Sequence, residues 1–424
     1  MTFVAATLAL VLALASAIYS ARAHSTFLFF WAFSTLFFFL PTFVDVFFIS
    51  VINSSSYFDN LITSRYLGQA NKLTDAPYLK MLIIATSFSL SFLLIQILLS
   101  KKSIKRRDIY LSPFPPKLMY IFATIDLLAL LAFILFNNKT WFSPSLFVPQ
   151  SPIAYRASFL IVVLSALLIP ALYQRRFFLS AIFFFSPIII SVGTSQRLWA
   201  LAALGSLVFY FIASQKNGKI SAKNIVVVCI LGVTAIAILR AVRHGFDVSL
   251  AEMAFSRDVS YFSALYVFAK EDTFAGITGG SALLFLLQSG WVPEALKIGS
   301  YSDVNIPLFI AEEQRGWTRG SMHPTIFAWA YADLGNIAFI SGAVFAAGFA
   351  LAERVIARID VKCIVFLVPV SAFAYSAMVR GTVQRGWSNF VFMTFLIIMI
   401  AVIFNLARNR SAVSRYLRSR KLAP

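Results

Sequence analysis

The stretch QRGWTRGSMHPTIFAWAYADLG, residues 314–335, gathers chemistry-bearing side chains just before an apolar run. Arg315, Arg319 and His323 recur at i, i+4 and i+8, which would align them on one helical face. Gly316, Gly320 and Pro324 oppose a continuous helix there. A neutral imidazole suits proton abstraction from a hydroxyl, and a guanidinium fork grips anionic oxygens in pairs. Capping of the following helix is the competing reading for His323.

Further arginines stand at the ends of apolar runs. Arg197 lies in SVGTSQRLWALAALG, Arg240 and Arg243 in AILRAVRHG, Arg257 in FSRDVSYF, and Arg380 and Arg385 in VRGTVQRGWSNF. Arginine predominates over lysine in this set, and arginine matches phosphate geometry where lysine is a point charge. Together they could converge on one anionic group. For any one of them, snorkelling or pairing with Asp258, Glu312 or Glu313 is the alternative.

The elements that must position these residues are membrane spans. The chain is 60% hydrophobic, 16% aromatic and only 12% charged, with a mean hydropathy of +0.82. Apolar runs of roughly 20 residues recur, the length that crosses a hydrocarbon core. The expected fold is an all-α polytopic bundle of about eleven spans (ten to twelve), forming a single domain over 1–424. The spans are 2–20, 26–50, 79–100, 118–136, 155–173, 177–193, 198–214, 225–241, 325–352, 363–379 and 387–407. The opening MTFVAATLALVLALASAIYSARA lacks a basic start, so it reads as a first span rather than a cleaved leader. Residues 242–324 form a long loop, and its GGSALLFLLQSGWVPEAL reads as a re-entrant or interfacial segment.

Charge sets the orientation. One face carries 21 of the 36 Lys/Arg and three acids, Asp108, Glu353 and Asp360. The other carries the remaining 15 with 13 acids, and Asp126 lies inside a span. The basic face is expected to be cytoplasmic, so the net charge of +19 is topological and does not point to nucleic acid. All the arginines singled out above then lie on the outer face. Six of the seven tryptophans also fall there, from an aromatic belt or from rings available to sugars. No phosphate-binding loop, zinc motif, serine elbow or paired acids with metal spacing occurs. Cys229 and Cys363 sit alone in apolar runs. No metal or cofactor is expected.

MHPTIFAWAYADLGNIAFISGAVFAAGFA resembles the helix-opening pattern of bacterial O-antigen polymerases of the Wzy type and their relatives, the O-antigen ligases. SVGTSQRLWALAALG is similar to their arginine hinge, though this chain reads TSQR where a direct Ser-Arg pair is more usual. The resemblance covers roughly residues 185–350. It implies a glycosyltransferase-C-like, metal-independent enzyme of the bacterial inner membrane. Such an enzyme acts at the periplasmic face on undecaprenyl-diphosphate-linked oligosaccharide. His323, Arg319 and Arg257 are then the candidate catalytic residues. Arg197, Arg240, Arg243, Arg315, Arg380 and Arg385 would bind diphosphate, and Trp317, Trp329 and Tyr331 would bind glycan. The expected partners are that lipid-linked glycan, membrane lipids and a chain-length regulator protein. A ligase acting on lipid A-core and a transporter of anionic glycans are the alternative functions.

Overall fold

The computed structural model describes residues 1–23, parts of 30–47, 76–100, 114–137, 151–194, 196, 198–214, 275–289, parts of 292–299, 305–309, 325–379 and 382–421. Among these the chain is helical and contains no strand. The elements are α1 (Thr2–Ala23), α2 (Ala76–Ser100), α3 (Pro116–Phe136), α4 (Pro152–Leu164), α5 (Leu168–Tyr173), α6 (Phe177–Thr194) and α7 (Leu198–Ser214). They continue with α8 (Ser281–Gln288), α9 (Ile326–Leu334), α10 (Phe339–Ile359), α11 (Leu367–Val379) and α12 (Val383–Lys421). The turn Ser165–Leu167 joins α4 to α5, and Val361–Phe366 leads into α11.

Among the described residues, eight stretches are long and apolar enough to cross a membrane: Thr2–Ser20, Leu79–Leu99, Pro116–Phe136, Pro152–Tyr173, Phe177–Thr194, Phe339–Ile359, Val361–Val379 and Val383–Leu406. Each corresponds to a span read from the sequence. Of the other three, 198–214 is the shorter apolar helix α7, with its apolar core at Leu198–Phe211. The described residues of 26–50 are helical, and 225–241 lies outside the described residues. The protein is therefore a multi-pass helical membrane protein.

The expected span 325–352 needs correction. It breaks after Leu334, where Gly335 adopts φ +61 and ψ −133, and of the two pieces only α10 is long and apolar enough to cross. A side chain is strained in that conformation, so glycine permits the break. The nine-residue α9 instead lies inside the bundle, with Ile326 to Asp333 all buried.

Contacts between helices fix their directions. Ser91 Oγ donates to Phe339 O at 2.7 Å, Gln96 Nε2 to Ala346 O at 2.8 Å, and Arg354 Nη2 to Leu99 O at 2.6 Å. The paired numbers rise together, so α2 and α10 run parallel. Asp126 with Ser186 and Asn137 with Gly193 make α3 and α6 parallel in the same way. One end of the bundle thus collects Leu99, Tyr120, Arg176 and Arg354. The other collects Asn137, Tyr155, Gln196 and Arg385.

With no water to drive association in lipid, close packing and interhelical hydrogen bonds hold such bundles. A Cβ on Gly342 of α10 would lie 2.5 Å from Phe88 O and 2.6 Å from Ser91 Oγ, so only glycine lets α10 approach α2 this closely. Trp31 stacks on Phe92 at 4.3 Å, and Phe349 meets Tyr375 at 4.4 Å and Phe390 at 4.2 Å, filling the centre with rings.

Candidate functional site

The polar residues of the second end are positioned by three local devices. Tyr155 stands in the first turn of α4, whose start is set by Pro152 and by the Ser151 hydroxyl accepting from Ala154 N at 3.1 Å. Gln196 lies between α6 and α7. Ser191 holds its backbone, accepting from Gln196 N at 3.1 Å and donating Oγ to Gln196 O at 2.7 Å. Arg385 lies in the first turn of α12. That turn is pinned by Gly386, where a Cβ would meet Met378 Cγ at 2.6 Å and Ala374 O at 3.0 Å.

These devices bring Arg385, Tyr155, Gln196 and Asn389 together. Arg385 Nε donates to Tyr155 OH at 3.3 Å and Nη2 to Gln196 Oε1 at 3.4 Å, and its guanidinium lies 5.5 Å from the Tyr155 ring centre. Tyr155 OH donates to Asn389 Oδ1 at 3.4 Å. All three bonds are long, so the guanidinium is loosely held by neutral oxygens. Among the described residues no carboxylate pairs with it. Among the described residues, Asn389 Nδ2 of this cluster is a buried donor without a partner.

The donor count decides what this cluster can hold. A guanidinium has five N–H groups and each amide has two, against acceptors already engaged on Tyr155, Asn389 and Gln196. Turning either amide exchanges one donor for one acceptor locally and leaves the surplus unchanged. A charged group with surplus donors accommodates an anionic oxygen, and charge-assisted bonds to it are the stronger kind.

Asp333 is the one acid of residues 314–335, and its carboxylate is held by four hydrogen bonds. Its Oδ1 accepts from Thr278 Oγ1 at 2.5 Å, Gly280 N at 3.1 Å and Ala282 N at 3.1 Å, and its Oδ2 from Leu283 N at 2.9 Å. These groups open α8, where a carboxylate neutralises the free N–H groups and the positive end of the helix dipole. Gly276, Gly279 and Gly280 supply the positive φ angles, 72°, 56° and 89°, that curl the chain around it. Eight residues span about 12 Å, too short to cross. The sequence reading missed this pin. Its signal was present: a glycine-rich turn opening an apolar helix without a capping side chain of its own.

Trp329 and Tyr331, expected to bind glycan, are packed in the core. They are 2% and 0% exposed, inside the core, with Trp329 6.2 Å from Phe345. Lys80 lies 5.4 Å from the Tyr331 ring. Trp199 and Trp387 are likewise buried, so the one-sided tryptophan bias owes much to packing. The N-cap of α9 is Thr325, whose Oγ1 accepts from Ala328 N at 3.2 Å. His323, Arg319, Arg257, Arg197, Arg240, Arg243, Arg315, Arg380 and Trp317 lie outside the described residues.

Searches against family models, curated proteins and solved structures return no match.

Proposed function

We propose that this protein is a polysaccharide polymerase of the O-antigen type. It transfers a growing glycan from undecaprenyl diphosphate onto a lipid-linked repeat unit at the periplasmic face of the bacterial inner membrane. The observation that carries this reading is the Arg385 cluster, a loosely held cation with surplus donors at the end of the bundle away from Arg176 and Arg354. That is the end the charge distribution assigns to the outside.

In this mechanism Arg385 holds the leaving diphosphate and stabilises the charge that develops as the sugar–phosphate bond breaks. Arg319 and Arg257 assist from the long loop, and His323 takes the proton from the acceptor hydroxyl. Tyr155 and Gln196 orient the guanidinium and leave its remaining N–H groups for the phosphates. Trp317 remains the aromatic candidate for glycan.

Deleting the gene in its host and resolving the lipopolysaccharide on a gel tests the reading. A polymerase predicts core bearing a single repeat in place of the ladder. Bare core with lipid-linked polymer would assign a ligase instead, and an unchanged ladder would remove the protein from this chemistry.

A further inference from the structure

We propose a second binding site at the opposite end of the bundle, where the α5–α6 turn holds the phosphate headgroup of an anionic membrane lipid. The site is independent of the reaction proposed above. It begins with a backbone anomaly. Arg175 is the only non-glycine residue with positive φ among the described residues, at 56°.

The turn is a Schellman motif: Arg176 N donates to Ala171 O at 2.8 Å and Arg175 N to Leu172 O at 3.0 Å. Its left-handed position normally takes glycine, because a Cβ is disfavoured there. An arginine in that place bears a conformational cost, and strain of this kind persists where a side chain is needed.

Arg175 is exposed, and a basic cluster adjoins it in the chain. Arg176 folds back over α3: its Nη1 donates to Tyr120 OH at 3.3 Å, and the guanidinium lies 5.8 Å from that ring's centre. Its Nε donates to Gln174 Oε1 at 3.4 Å, while Gln174 Nε2 donates to Phe114 O at 2.9 Å and locks the turn against α3. Lys117 precedes Tyr120 by three residues, so both share a face of α3, and both are exposed. Among the described residues no carboxylate pairs with Lys117, Arg175 or Arg176. The first turn of α6 also contains no acid, so its free N–H groups add a positive end to three cations.

A lipid headgroup fits better than a dissolved anion because the cations are rimmed by apolar rings. Phe177 and Phe178 are 72% and 74% exposed, Tyr120 53% and Tyr173 48%. A soluble phosphate has no use for these rings. A lipid places its phosphate among the cations and its acyl chains along the aromatics, as interfacial aromatic and basic residues do.

The test measures thermal unfolding of the purified protein in micelles titrated with phosphatidylglycerol or phosphatidylcholine. Arg175→Gly relieves the left-handed strain, so it should unfold at higher temperature than wild type in phosphatidylcholine. It should also bind phosphatidylglycerol about fivefold more weakly, the equivalent of ~1 kcal/mol for one arginine near an anionic surface. Lys117→Gln leaves the turn untouched and should weaken phosphatidylglycerol to a similar degree. A turn that is only structural predicts the stability gain with the phosphatidylglycerol response intact, and that result would overturn the site. Equal protection by inorganic phosphate in phosphatidylcholine would overturn its assignment to lipid.

Discussion

Among the described residues, Arg385 meets only neutral oxygens, at 3.3 and 3.4 Å. If it binds diphosphate through its fork, Arg385→Lys should lose nearly as much activity as Arg385→Ala, because lysine keeps the charge and loses the paired geometry. The expected loss is about 10²–10³ in rate, typical of removing one donor to a developing oxyanion. Chain-growth assays on the purified variants at matched amounts check this. A lysine variant near wild-type rate would reduce Arg385 to a surface anchor. Asp333 predicts a different outcome. Its carboxylate accepts four hydrogen bonds from the residues that open α8. Asp333→Ala should therefore strip the cap from α8 and strand buried N–H groups, costing about 1–3 kcal/mol for the unsatisfied donors. Thermal unfolding of the purified variant would read that loss directly, and an unchanged midpoint would mean that the pin is not structural.

Among the elements, the α2–α10 pair is the most sensitive to a small change. Gly342 faces Phe88 O, a backbone atom that cannot swing aside. Gly342→Ala should force the helices apart and disturb the bonds from Ser91 and Gln96, at about 1–3 kcal/mol for overpacking. Retention of monodisperse, detergent-stable protein after this change would contradict the observed approach. Among the described residues, eight of the eleven expected spans correspond to helices long and apolar enough to cross, because a run of apolar residues is a local signal. The break at Gly335 was not legible in the sequence, since both flanks of it are apolar and hydropathy cannot distinguish a broken helix from a continuous one. The burial of Trp329 and Tyr331 was hidden for the same reason: in an apolar chain, an aromatic ring reads alike whether it faces lipid, sugar or the core.

At the scale of the whole molecule, Tyr155, Gln196, Arg385 and Asn389 meet from three distant parts of the chain. Arg385 could be singled out as an arginine at a span end, but nothing local announced its partners. They follow from the parallel and antiparallel arrangement of the helices. That arrangement also separates the two basic regions, with Lys117, Arg175 and Arg176 at one end and Arg385 at the other. In a cysteine-free background, Ser103→Cys should resist a membrane-impermeant thiol reagent in intact spheroplasts while Ser302→Cys reacts. The reverse pattern would invert the orientation.

The proposed catalysis at the Arg385 end is tested most directly by reconstituting the purified protein in liposomes with undecaprenyl-diphosphate-linked repeat units and resolving the products by length. Wild-type protein should convert single repeats into a ladder of longer lipid-linked glycans, and Arg385→Ala, folded to the same extent, should leave them nearly all single. A full ladder from Arg385→Ala, or no extension by the wild-type protein on any lipid-linked repeat supplied, would contradict the polymerase reading and its site.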